Sequence, residues 1–140
     1  MKISKRSEYG LRAMIYLAKN HDPGSPIQIK EICEQENIPF KYLEQILLNL
    51  KNVGLLQSKS GVGGGYYLAR SPEQIPFGEI IRVLDGPIAP VRCVSQTAYE
   101  PCSCPDEENC ILRHVMLDVR NAISEIVDHT SLQDAINKYS

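Results

Sequence analysis

The chain has 140 residues, of which 43% are hydrophobic, enough for one or two small domains with modest cores. It has no run of about 18 apolar residues to span a membrane, and its first ten residues, MKISKRSEYG, lack the apolar core of a signal peptide, so a cytoplasmic setting with reduced thiols is expected. The net charge of −2 hides a split: residues 1–70 hold ten Lys and Arg against six Asp and Glu, net +4, and residues 71–140 hold five against eleven, net −6, so only the first half suits a polyanion.

In chain order, residues 5–19 read as a helix with Leu11, Met14, Ile15, Leu17 and Ala18 as its buried stripe. Lys2, Lys5, Arg6 and Arg12 crowd its start, where positive charge opposes the helix dipole. A phosphate backbone would favour them there, and a solvated basic end is the plainer alternative. Glu8 stands among these cations. His21 to Pro26 is a turn-rich connector. Ile29, Ile32 and Cys33 mark a short helix broken at Glu36 to Pro39, with Cys33 read as core packing. A second helix follows, with Tyr42, Leu43, Ile46, Leu47 and Leu50 in helical spacing and Pro39 in its first turn. Two short helices across a tight turn form a helix-turn-helix, whose second helix lies in a major groove of double-stranded DNA. Lys41, Tyr42, Glu44 and Gln45 are the polar-tipped residues near its start. Gln can read adenine, Lys guanine or phosphate, and Glu can accept from cytosine. Tyr42 shares the apolar stripe, so core packing is an equal alternative for it.

Leu55 to Ser60 and Tyr66 to Ala69 read as two strands around Gly61 to Gly65. A Walker loop would need Lys and Ser or Thr after the glycines, and a dinucleotide fingerprint would need a helix there; neither follows. Beside a helix-turn-helix the hairpin is a wing. Gly63 and Gly64 would let its backbone approach a phosphate or a minor groove, with Lys59 and Ser60 flanking the tip. The expected fold is mainly α with a small β-hairpin wing: a winged helix-turn-helix over residues 1–75, then a cysteine loop and dimerisation helices over 76–140.

Phe77 to Leu84 reads as a short helix ended by Asp85-Gly86-Pro87, and Pro87 to Pro105 as a loop. The longest helix runs from Glu107 to about Asp128. Its stripe, with Val115, Val119, Ile123 and Ile126, is wider than the small second half can cover, so a two-fold dimer is expected. Thr130 with Gln133 reads as a capping box for a last helix. Four of the five cysteines, Cys93, Cys102, Cys104 and Cys110, fall within 18 residues. In a reducing compartment this suggests metal ligation, by zinc, copper(I) or an iron–sulfur cluster, with a redox-active loop as the alternative. His114 shares a helix face with Cys110, though a lone His there is more often simply polar surface. No paired carboxylates or nucleophile–base pair point to an enzyme.

The segments MKIS, SEYGLRAMIYLA, KYLEQILLNL followed by GLL, GGGYYLA and GEIIRVLDGPIAPV resemble, over nearly the whole length, the Rrf-two family of bacterial winged-helix regulators. The resemblance implies a homodimeric, sequence-specific DNA-binding repressor joined through its long C-terminal helix. Cluster-binding members carry three cysteines in the loop before that helix. Carried over, these are Cys93 and Cys110 as the outer pair and Cys104 in the middle, with Cys102 extra and the choice between Cys102 and Cys104 open. For the fourth ligand one branch uses an acid in the first helix of the partner subunit, matched by Glu8. Another branch uses a His where Arg113 stands, which leaves His114 as second candidate. Many relatives have Arg where Ser60 precedes the wing tip. A cysteine-metabolism branch of the family works without a cluster, so control by a protein or metabolite effector, or by direct thiol oxidation, stands beside cluster sensing.

Overall fold

A computed structural model describes residues 2–140. Helix α1 spans Lys5–Lys19 and starts at Ser4, whose hydroxyl accepts from the Ser7 N–H at 3.0 Å. Helix α2, Ile29–Glu36, ends on Asn37 in the left-handed region (φ 54°), a conformation Asn tolerates better than most residues. That single residue makes the turn into α3, Phe40–Asn52. Pro39 lies just outside α3 rather than in its first turn. Its backbone is extended (ψ 134°) while its carbonyl already accepts from Leu43 N–H at 3.1 Å, so it caps the helix.

The wing is the antiparallel pair β1, Leu56–Lys59, and β2, Gly65–Leu68, with Leu56 opposite Leu68 and Lys59 opposite Gly65. The first strand is shorter by one residue at each end than the sequence suggested, and the second has the expected length but starts one residue earlier. A bridge the sequence did not announce adds a third edge: Ile27 and Tyr66 exchange N–H···O bonds of 2.8 and 2.9 Å. This fastens the connector between α1 and α2 to the wing. Gly65 (φ 150°) must be glycine because a Cβ there would run into the Ile27 carbonyl.

A one-turn 3₁₀ segment, Pro72–Gln74, leads to helix α4, Phe77–Asp85. Helices α5, Ile111–Asp128, and α6, Leu132–Tyr139, complete the chain. Met14, Leu17, Ile32, Leu43, Ile46, Leu47 and Leu50 form one buried cluster with Leu56, Ile75, Ile80 and Leu132. The core is therefore continuous from α1–α3 into α4 and the start of α6, and each such side chain contributes about 1.5–3 kcal/mol of burial.

Helix α5 differs from all the others, because none of its residues is buried. It is tethered by polar contacts. Asp128 takes a two-pronged contact of 2.5 and 2.9 Å from Arg82 of α4, and Arg120 donates to the Val94 carbonyl at 2.6 Å. It also starts four residues later than expected. Asp106 accepts from the backbone and side-chain amides of Asn109 (3.4 and 2.7 Å) and folds 106–109 into a turn. Cys110 then caps α5, its sulfur accepting from the Arg113 N–H at 3.4 Å. The capping box of α6 is Ser131 with Asp134, two reciprocal bonds of 3.0 Å, one residue beyond Thr130 and Gln133. Thr130 instead donates to the Ile126 carbonyl at 2.6 Å, and Gln133 donates to Asn137 at 2.8 Å.

Candidate nucleic-acid interface and thiol loop

The outer face of α3 presents Lys41, Tyr42, Glu44 and Gln45, all exposed, while Leu43, Ile46, Leu47 and Leu50 hold its inner face in the core. Tyr42 is 60% exposed, which removes the core alternative. Its ring meets Tyr9 of α1 edge-on at 6.0 Å, and Tyr9 in turn lies near Lys5 and Arg12. Exposed Lys2, Lys5 and Arg6 stand at the start of α1. Two acids offset the cationic start of α1. Lys5 pairs with Glu8 at 3.2 Å, and the Asp85 carboxylate accepts from the backbone and hydroxyl of Ser4. Partial burial works against the charge on Asp85, but the bonds from the Ser4 hydroxyl and backbone, with the field of Arg6, outweigh it and hold its carboxyl below the usual range. The sequence signalled Glu8 as one of these acids but gave no hint of Asp85, which lies some 80 positions away in the chain.

In the wing, Ser60 and Gly63 are exposed at the tip, with Val62 fully projecting into solvent. Gly64 has a structural reason to be glycine: a Cβ would meet the Lys59 carbonyl. Lys59 is exposed but not idle, for its ammonium donates to the Gly24 carbonyl at 2.7 Å and lies 5.8 Å from the Tyr67 ring centre.

The second half brings three of the four loop thiols together. The Cys104 N–H donates to the Cys102 sulfur at 3.3 Å, and the Cys104 thiol lies in the field of both Cys102 and Cys110. Bonds from the Cys104 backbone and thiol push Cys102 toward the thiolate. The bond to Cys102 pushes the Cys104 thiol up to about 11, aided by slight desolvation and the charges of Cys102 and Cys110. Cys93 is buried in a 3₁₀ turn, Arg92–Val94, on the other side of Arg113. Arg113 joins the two sides: its backbone N–H caps on Cys110 and its guanidinium reaches the Cys93 carbonyl at 3.5 Å and Glu107 at 3.5 Å. His114 is exposed one residue further on. Glu8 sits elsewhere, half-buried on the wall of a groove of about 880 Å³ lined also by Ile3, Ile81, Pro87 to Pro90 and Ile123. Lys5 and Arg12 both pair with Glu8, at 3.2 and 3.8 Å. Among the described residues of one chain, no three His, Cys, Asp or Glu side chains are placed to hold a metal ion.

On α5, Ile126 and Val115 are 66% and 49% exposed, and Val119 and Ile123 are half-buried. Ile111 and Leu112 at its start are exposed as well. A helix with so much open apolar surface is an interface in waiting.

The sequence profile of Rrf2, described as an iron-dependent transcriptional regulator, matches residues 3–138. The chain belongs to the Rrf2 family. As a member it is a DNA-binding transcriptional regulator rather than an enzyme, and it acts as a dimer with double-stranded DNA as its partner. Among Rrf2 relatives, the HTH-type transcriptional regulator CymR of Bacillus subtilis is 40% identical, the match covering 96% of this chain and 88% of that one. The solved structure of CymR, the global cysteine regulator of B. subtilis, superposes with a TM-score of 0.82 at 37% identity, covering 100% and 99% of the two chains. The structure of T. potens IscR superposes with a TM-score of 0.78 at 31% identity, covering 100% and 89%. The expected winged helix-turn-helix is therefore the fold of the family. No helix among the described residues is long and apolar enough to cross a membrane.

Proposed function

We propose that the protein is a cytoplasmic, homodimeric repressor in which residues 1–75 read operator DNA, and residues 76–140 dimerise and carry a sensor that holds an iron–sulfur cluster. In the DNA-reading unit, Gln45, Lys41 and Glu44 read base edges. Tyr42, Lys2, Lys5 and Arg6 contact the backbone, and Lys59, Ser60, Gly63 and Gly64 bring the wing to the neighbouring groove. Val115, Val119, Ile123 and Ile126 form the dimer seam.

The observation that carries the sensor is the gathering of Cys102, Cys104 and Cys110 around the start of α5, with Arg113 bonded to the Cys93 carbonyl. Soft sulfur donors beside a helix N-terminus and a guanidinium form a donor set that fits a cluster in its chemistry. Cys93, Cys104 and Cys110 would hold it, with Cys102 in reserve. Glu8 of the partner subunit is the first candidate for a fourth ligand and His114 the second. When bound, the cluster supplies an iron–sulfur centre that reacts with oxidants and nitric oxide. Arg113 holds the Cys93 turn against the start of the dimer helix, so a change at the thiols reaches α5 directly. A cluster-free reading, with a protein or metabolite effector or direct thiol oxidation as the signal, is favoured by the likeness to CymR.

Anaerobic reconstitution with iron and sulfide tests the choice. Bound iron and sulfide with visible absorbance are expected for wild type, lost in Cys93→Ala and Cys110→Ala, kept in Cys102→Ala and labile in Glu8→Ala. A colourless protein that holds zinc, or nothing, while binding DNA tightly would leave the cluster-free reading.

A further inference from the structure

The structure assigns to Cys102 and Cys104 a reversible intramolecular disulfide, making Cys102-Ser103-Cys104 a modification site for hydroperoxides. This rests on the cluster-free reading above and names the thiols through which it would work.

The loop sorts its four thiols by access. Cys93 is 8% exposed, inside its 3₁₀ turn. Cys110 is half-buried and its sulfur is engaged as the cap of α5 by the Arg113 N–H at 3.4 Å. Cys102 is the exposed thiol of the set, with Cys104 half-buried beside it. The Cys104 N–H, aimed at the Cys102 sulfur from 3.3 Å, folds this three-residue stretch back on itself, so that the Cys102 sulfur lies against the backbone of Cys104. Two trans peptide steps of about 3.8 Å each keep their Cα atoms within reach of the roughly 4.4–6.8 Å that disulfides span. Ser103 between them adds no bulk. Neither Cys102 nor Cys104 belongs to the buried core, so joining them disturbs no packing. Exposed or strained disulfides are the readily reduced, regulatory ones, and a bond between residues two apart is of that kind.

The chemistry balances with a hydroperoxide as oxidant. The Cys102 sulfur attacks the peroxide, the O–O bond breaks, and a sulfenic acid forms on Cys102 as water or an alcohol leaves with the thiol proton. The Cys104 sulfur then attacks the Cys102 sulfur. The S–O bond breaks, and hydroxide departs as water with the Cys104 proton. Two thiols have lost two hydrogens and one peroxide has been reduced. The bond ties Cys102 to Cys104 in the stretch that leads, through the cap Cys110, into α5, the element expected to set dimer geometry.

The test treats the reduced full-length protein with hydrogen peroxide, blocks free thiols by alkylation and maps the loop by mass spectrometry. Asp106 offers a cleavage site that separates Cys102 and Cys104 from Cys110. The expected product is a fragment carrying Cys102 and Cys104 that is two hydrogens lighter and unalkylated at both, and restored by dithiothreitol. Cys102→Ser should leave Cys104 alkylatable, whereas Cys93→Ser and Cys110→Ser should leave the product unchanged. Full alkylation of Cys102 and Cys104 after another thiol has been oxidised would overturn the assignment, as would a Cys104–Cys110 link joining the two fragments. Gel shifts on the same samples keep the two failures apart. Peroxide-sensitive DNA binding that persists in Cys102→Ser retains thiol sensing and rejects this pair as its seat. A disulfide that forms without altering DNA binding keeps the modification site and rejects thiol sensing.

Discussion

Gln45 is exposed in the second turn of α3 with no hydrogen-bond partner among the described residues, flanked by the exposed Lys41 and Glu44. A side chain in that position contributes to affinity only when it meets a base edge. Gln45→Ala is expected to weaken specific operator binding by about 1–3 kcal/mol and to relax sequence preference at one position. Competition gel shifts with operator variants measure it, and unchanged affinity and preference would remove Gln45 from the contact set. Arg113 is the opposite case, a residue busy within its own chain. It stands where one branch of the family carries a ligating His, but a guanidinium stays protonated and cannot ligate iron. It spans from the Cys93 carbonyl to Glu107 instead. The sequence identified the departure but not this use, because nothing local in Cys93 to Arg113 says that two segments twenty residues apart are in contact. Asp85 was invisible for the same reason: its partner Ser4 lies 81 positions away in the chain.

Helix α5 is the element proposed to carry dimerisation. Its apolar spacing was legible in the sequence, and the absence of any buried residue on it in a single chain gives that spacing its meaning. Ile123→Asp puts a charge into the seam and is expected to give monomers or insoluble protein, read by sedimentation. A soluble dimer of normal stability would mean that Ile123 faces its own chain. The element's start was misjudged because helix periodicity does not see the Asp106–Asn109 turn or a sulfur acting as a cap. The far end of α5 is held by Arg82 and Asp128, and Asp128 lies below its ordinary value of 3.8 chiefly through the Arg82 bond. Asp85 is lowered from the same value. Both carboxylates therefore contribute fully above pH 3.8, and their contribution is lost as the pH falls through their lower folded values. Thermal melts should be level near neutrality and fall below about pH 4. Asp128→Asn should lower the neutral plateau, by about 1 kcal/mol for a partly exposed charged pair, and flatten the acid decline. An acid decline as steep as wild type in that variant would rule out Asp128 as its source.

At the scale of the whole molecule, the charge split of +4 against −6 is the ground for proposing that the polyanion-binding surface lies on the first half. DNA affinity should fall steeply with salt, by several powers of ten between about 50 and 200 mM if six or more phosphates are contacted. A nearly flat dependence, measured by titration at several ionic strengths, would contradict a backbone-anchored complex. The continuous core explains why the winged fold was legible from its local signals, since turn, helix spacing and hairpin all agree with one packing. The thiol loop was legible only as a list of cysteines, because its order comes from individual hydrogen bonds such as Cys104 to Cys102, and not from any repeating pattern. The state of this loop is proposed to set the grip of the dimer on DNA. The most direct measurement is fluorescence anisotropy of a selected operator duplex titrated with anaerobically reconstituted protein, and with the same preparation after its iron has been removed by a chelator. A change in Kd of about tenfold or more is expected for wild type, the size of an ordinary coupling between sites, with none in Cys93→Ala. Identical Kd values and salt slopes for the loaded and stripped wild-type dimer would contradict it.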